Sequence, residues 1–451
     1  MSTPMTYRGH ARAALVLGLP LIGSHLAQFA VQVVDTIMLG WYGVEELAAV
    51  VLAGTFFFIL FIMGSGFAWA VMPMVAAASE AGDDTRVRRV TRMGMWISVG
   101  VGAAVLPLLF FSAPILRAIG QEPELAELAQ QYLRIAAWGM FPALIVMVLK
   151  SYLAALERTR VVLWTTIAAA VLNAVLNYML IFGNWGAPEL GVRGAAIASL
   201  SLQVVSVVVL AIYAVRVLPE HALFNRVWRP DWEAMGEVFR MGLQIGLTSL
   251  AEAGLFSAST VIMGWIGTLE LAAHGIAIQI VSLFFMVHVG LSNAGTVRAG
   301  RALGRRDEEG LRKGAVSILG LSVGFAVIAV IMFLVIPNPM IGLFLDPSEP
   351  LRDEILVVGR SLLAVAALFQ FADAAQVMTL GLLRGVQDTR VPMVIAAVSY
   401  WVVGVPMSYV MGILWGWGGE GVWLGLVLGL VLAGALMSWR FWTRSSRISL
   451  G

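Results

Sequence analysis

Twelve stretches of this chain are each apolar for at least the length a helix needs to cross a bilayer, about 20 residues for a hydrocarbon core of about 30 Å. They cover 13–39, 47–78, 90–116, 128–153, 161–182, 190–215, 238–266, 271–297, 314–336, 355–383, 391–415 and 422–442, with charged residues, Gly or Pro between them. Few folds are open to such a chain. Hydrocarbon offers no water to backbone N–H and C=O groups, and a helix satisfies them within the segment. The expected fold is therefore an all-α integral membrane protein with twelve transmembrane helices. Composition agrees: 60% of residues are apolar and 12% charged, where soluble domains carry about 25% charged residues. The first run is too long for the apolar core of a signal peptide and lacks a small-residue cleavage pattern, so it is read as a span.

Several function classes drop out early. A formal net charge of +2 gives no case for nucleic-acid binding. The absence of cysteine excludes disulfides, iron–sulfur clusters and thiolate metal sites. No G-x-x-x-x-G-K-[ST], H-E-x-x-H or G-x-S-x-G pattern occurs, so neither an ATP-driven pump nor an enzyme is expected, and no cofactor.

Orientation follows from the cations, since short cytoplasmic loops are rich in Lys and Arg. With the N-terminus inside, 24 of the 29 cations fall on the cytoplasmic side, and only Arg117, Arg134, Arg193, Arg352 and Arg360 fall on the other. One missed or invented helix would scramble that split. Both termini are expected in the cytoplasm.

The chain also repeats itself. GWYGVEELAA from Gly40 matches GWIGTLELAA from Gly264, an offset of 224. At the same offset Gly18 meets Gly242, Gly66 meets Gly290, Asp83 meets Asp307, and Arg88–Arg89 meets Arg312–Lys313. An offset that spans six helices keeps both copies in the same orientation. The expected organisation is two pseudo-symmetric six-helix bundles, 1–215 and 238–451, joined by a cytoplasmic connector at 216–237, in a V-shaped two-lobe transporter.

Against this apolar background three acids stand out, because an ionised side chain at the bilayer centre costs roughly 2.5–3.5 kcal/mol even on lenient scales. Glu252 and Asp373 fall near the middle of their runs, and Asp35 falls five residues before Gly40. Polar neighbours share their helical faces. His25, Gln28, Gln32 and Asp35 step by 3, 4 and 3 residues, and Ser249, Glu252 and Ser259 occupy the equivalent face of the second half. Asn173 and Asn177 lie one turn apart, and Gln370 and Gln376 flank Asp373. A water-accessible cavity lined by these faces would reconcile them with the apolar bulk. The plainer alternative makes the acids and amides hydrogen-bonded ties between helices, and His25, His274 and His288 are read as packing or hydrogen-bonding residues rather than ligands. Both a proton and a small hard cation suit carboxylates as carriers or ligands.

The stretches VVDTIMLGWYG, VLNAVLNYMLIFGNWG, SLAEAGLF and FQFADAAQVMTLGLLRGVQDTRVP, together with twelve helices and a parallel repeat, resemble the multidrug and toxic compound extrusion (MATE) family in its NorM-like branch. The resemblance implies a bacterial inner-membrane antiporter that exports cationic, often aromatic, drugs in exchange for Na+ or H+, with a monomer sufficient. It also implies that Glu252 and Asp373 form a second-lobe cation site, with Na+ one candidate, and that Asp35 with Asn173 and Asn177 forms a first-lobe acidic site. Two departures stand out. Asn177 replaces the aspartate of the DinF-like branch, which favours second-lobe coupling, and Phe369 stands where some sodium-coupled members carry a tyrosine. A lipid-linked oligosaccharide flippase of the wider superfamily is the rival reading. It would be expected to place several cations in its cavity to hold phosphates, and membrane-embedded Lys and Arg are nearly lacking here.

Overall fold

The computed structural model describes residues 4–448, all of whose regular structure is helical. Its twelve spans are α1 (Tyr7–Tyr42), α2 (Val44–Glu80), α3 (Asp84–Phe110), α4 (Pro123–Ala155), α5 (Thr159–Phe182), α6 (Val192–Val217), α7 (Trp232–Ile266), α8 (Thr268–Arg305), α9 (Glu308–Val335), α10 (Arg352–Gly385), α11 (Arg390–Leu414) and α12 (Gly418–Ser445). Several outlast their apolar runs at the arginine-rich ends: α1 starts at Tyr7 rather than 13, and α8 continues to Arg305 rather than 297. Hydropathy ends where lipid ends, but the backbone ladder continues into water at little cost. α11 is not uniform. Wider π turns at Val398–Gly404 and Val410–Leu414 flank Val405–Tyr409, beside Pro406, which has no N–H to give the helical ladder.

Contacts divide the chain into two units, one made of residues 23–246 and the other of the residues up to Ile22 together with those from Leu247 onward. Both changes of unit fall inside a helix, after Ile22 in α1 and after Gly246 in α7, at positions related by the repeat offset.

Within the 23–246 unit, α4 packs against α2, α3 and α6, and α5 against α6. The early turns of α7 press on α2, where a Cβ on Gly66 would lie 2.5 Å from the Gly242 carbonyl oxygen and from Gly246 Cα. Only glycine permits that approach. In the other unit α10 packs against α8, α9 and α12, and the repeat-related Gly290 meets the start of α1. A Cβ there would sit 2.8 Å from the backbone N and Cα of Ile22.

The repeated sequence motifs are turn and cap devices. Asp83 and Asp307 cap α3 and α9, accepting hydrogen bonds from Arg86 N at 2.9 Å and Gly310 N at 2.8 Å. At the opposite ends of α1 and α7, Gly43 and Gly267 precede α2 and α8, and the carboxylates of Glu46 and Glu270 fold back into the space a Cβ would take.

The connector is gripped by one face of α3. Arg86 pairs with Glu237 at 2.6 Å, Arg89 with Asp231 and with Glu233, Arg92 donates to the carbonyls of Ala222 and Leu223 at 2.7 Å, and Trp96 Nε1 donates to the Val227 carbonyl at 2.6 Å. In the other unit Arg312 of α9 reaches Ser446 Oγ at 3.2 Å, near the end of the chain. The guanidinium of Arg89, hydrogen-bonded to Asp231, holds that carboxyl below the usual aspartate range. A depressed value means the tether is complete at neutral pH and fails only as acid protonates Asp231. Arg89→Ala is expected to speed tryptic cleavage after the exposed Arg226 by about three- to tenfold in the solubilised protein at neutral pH; an unchanged rate would show that the tether does not hold the connector.

Candidate functional site

The polar cluster of the second unit is assembled by the α8–α10 contact. Ser292 Oγ donates to the Val377 carbonyl and Thr296 Oγ1 to the Gly381 carbonyl, both at 2.8 Å, and Gly381 and Gly385 leave no room for a Cβ against Ser292 and Thr296. Small residues thus bring two backbones together, as membrane helices do where the hydrophobic effect cannot. The packing fixes the α10 face that bears Gln370, Asp373 and Gln376, which are 0%, 1% and 0% exposed. Gln376 Nε2 donates to the Tyr400 hydroxyl at 2.5 Å, in the first π turn of α11.

α7 supplies Ser249 and Glu252. It is fastened to α11 by Trp401, whose Nε1 donates to the Ala251 carbonyl at 3.2 Å and whose ring lies 2.5 Å from where a Gly254 Cβ would stand. Glu252 and Asp373 lie within electrostatic reach of each other and of the Tyr400 hydroxyl, and Glu252 also of the Arg384 guanidinium. Glu252 Oε1 and Asp373 Oδ1 are buried and meet no hydrogen-bond donor among the described residues. An acceptor left in that condition is costly unless a proton or a cation joins it. Two carboxyls and a phenol hydroxyl are hard oxygen groups suited to either.

The other expected residues of this half are less involved. Ser259 is buried, but its hydroxyl bonds back to the Phe256 carbonyl at 2.6 Å on its own helix. Gln370 faces His288, whose Nδ1 is 2.9 Å from Ser322 Oγ. His274 is held between Thr260 and Trp423, its two ring nitrogens hydrogen-bonded to them at 3.0 and 3.1 Å. Phe369 is edge-on to Phe256 and Trp423, with centroids 5.9 and 5.5 Å away, so an aromatic stack fills a position where a tyrosine would add an oxygen.

In the first unit Asp35 Oδ1 accepts from Asn173 Nδ2 at 2.7 Å and from Asn177 Nδ2 at 2.5 Å, and both asparagines are fully buried. The approach of α5 and α6 at Gly194, against the Leu180 backbone, sets that face of α5. Gln32 and Gln28 stay exposed on α1, one and two turns earlier.

Two members of the second cluster escape sequence reading. Tyr400 lies in a π turn, where 3.6-residue periodicity fails. Arg384 ends an apolar run and looks like any other loop cation, yet its Nη2 turns inward to 3.5 Å from Ser249 Oγ. This qualifies the expectation that embedded cations are nearly lacking.

The family model MatE matches residues 20–179 and 245–410, two stretches that begin close to one repeat offset apart. The chain belongs to the MATE family of transporters. Among its relatives are the proteins named "Probable multidrug resistance protein NorM" from Rhizobium meliloti (strain 1021), 46% identical over 98% of this chain and 95% of the relative, and from Agrobacterium fabrum (strain C58 / ATCC 33970), 43% identical over 96% and 93%. Solved MATE structures share its fold. A crystal structure of MATE in complex with MaL6 aligns with a TM-score of 0.89 at 22% identity, covering 98% of both chains. The eukaryotic MATE transporter AtDTX14 aligns at 0.86 and 19% identity, covering 99% of this chain and 100% of that one. The MATE fold accounts for the two six-helix halves, and membership of a transporter family accounts for the lack of catalytic motifs.

Proposed function

We propose that this MATE protein is a secondary active multidrug exporter that exchanges cationic, aromatic drugs for Na+ or H+ by alternating access. It works as a monomer in a bacterial inner membrane with both termini in the cytoplasm. One observation carries the reading: two acids from different helices, Glu252 and Asp373, lie in one buried cluster, each with a carboxyl oxygen that no donor among the described residues meets. Such oxygens attract a proton, a sodium ion or a drug cation, and competition among these for the same negative charge is itself a mechanism of exchange. The names of the NorM relatives, which speak of multidrug resistance, support the drug as cargo.

In this reading Glu252 and Asp373 are the coupling pair. Asp35, with Asn173 and Asn177, is a first-lobe acidic site, already hydrogen-bonded and so less in need of an ion. Gln28, Gln32, Ser259, Gln370 and Gln376 belong to the polar walls of the drug path. The test is efflux of ethidium from vesicles under a sodium gradient alone and then a proton gradient alone. Efflux under one of them identifies the coupling ion. Efflux under neither would sink the antiport reading and favour the flippase.

A further inference from the structure

Arg384 is the penultimate residue of α10. Long cationic side chains near the end of a span ordinarily extend outward to water. This one turns inward, with Nη2 3.5 Å from Ser249 Oγ, and Ser249 precedes Glu252 by three residues on the same face of α7. Its charge acts on Glu252 and on the Tyr400 hydroxyl. Glu252 Oε1 nevertheless meets no donor among the described residues. The guanidinium stands within electrostatic reach of the carboxyl and leaves that oxygen open.

Such a standoff has a distinct physical consequence. A fully closed ion pair would occupy the carboxylate, and an isolated carboxylate would hold any arriving cation very tightly. A positive charge fixed nearby does neither. It partly offsets the carboxylate when the site is empty and repels a cation that enters. We propose that Arg384 is a tethered counter-cation which competes with transported cations for Glu252 and thereby sets how readily they are released. The inference rests on the exporter reading and assigns a positioning residue to its coupling site.

The experiment is ethidium binding to the solubilised full-length protein by fluorescence anisotropy, at fixed pH and salt. Arg384→Gln is expected to bind ethidium about tenfold tighter than the wild type and to turn over more slowly in vesicles, the repulsion having been removed. Arg384→Lys, which keeps the charge, should stay within about twofold of the wild type. In a Glu252→Gln background the gain from losing Arg384 should shrink well below tenfold, because the carboxylate that draws the cation in beside the guanidinium is gone. A merely structural arginine predicts weaker binding in Arg384→Gln and no dependence on Glu252, and either result overturns the inference. Should Arg384→Gln fail to fold, the Glu252→Gln/Arg384→Gln double variant is expected to fold again, and its failure also overturns the inference. Ethidium binding by the wild type with no gain in Arg384→Gln removes the arginine's role alone, whereas no binding by the wild type removes the exporter reading with it.

Discussion

Glu252→Gln and Asp373→Asn are each expected to reduce drug export by on the order of a hundredfold, to the level of cells without the transporter, while the protein stays folded in the membrane. Both changes preserve shape and remove only the capacity to carry negative charge. The magnitude follows from the roughly 2.5–3.5 kcal/mol that separates a charged from a neutral group in this environment, where about 1.4 kcal/mol is a factor of ten. Folding should survive because Glu252 Oε1 and Asp373 Oδ1 meet no donor among the described residues and the amides fill the same volume. Ethidium efflux, normalised to the amount of monodisperse protein, is the measurement. Undiminished efflux in either variant would remove that residue from the coupling pair, and loss of monodisperse protein in both would return the acids to the role of helix ties.

Gly66→Val is expected to be strongly destabilising, because it falls at a backbone-to-backbone helix crossing. The substituted Cβ would lie 2.5 Å from the Gly242 carbonyl oxygen and Gly246 Cα, and backbone cannot swing aside as a side-chain tip can. Overpacking costs about 1–3 kcal/mol where side chains adjust, and more here; at about 1 °C per kcal/mol for a chain of this length, the melting midpoint should fall by at least about 3 °C. The repeat-related Gly290→Val should behave alike, because it meets Ile22 backbone at 2.8 Å. Gly54→Ala is the control, since nothing lies within 4 Å of the added carbon. Equal melting of Gly66→Val and Gly54→Ala would show that the crossing is not tightly packed.

The pairing of glycines 18 with 242 and 66 with 290 is legible in the sequence only as a coincidence of register. Their reason is tertiary: Gly66 and Gly242 meet each other, while Gly290 meets Ile22. The acids show the same divide. Glu252, Asp373 and Asp35 are conspicuous because an acid in a long apolar run breaks a costly rule that needs no coordinates to apply. That Asp35 is hydrogen-bonded by both asparagines, whereas Glu252 and Asp373 keep unmatched oxygens, depends on the rotation of α5, α7, α10 and α11 about their axes. Two glutamines one and two turns before Asp35 lie on its helical face, yet the asparagines of α5, more than a hundred residues away, reach its carboxyl.

Twelve spans, their direction across the membrane as proposed, and the doubling of the chain follow from local chemistry: run length against bilayer thickness, cation bias between loops, and a repeated string. Each is a property of one segment or of two compared segments, and a bilayer imposes it whatever the neighbours do. Which face of each helix meets which other, where α1 and α7 pass from one packing unit to the other, and why Arg384 points inward are decided by side-chain packing between segments far apart in sequence. Hydropathy carries no information about that packing, because lipid and protein interior are equally apolar.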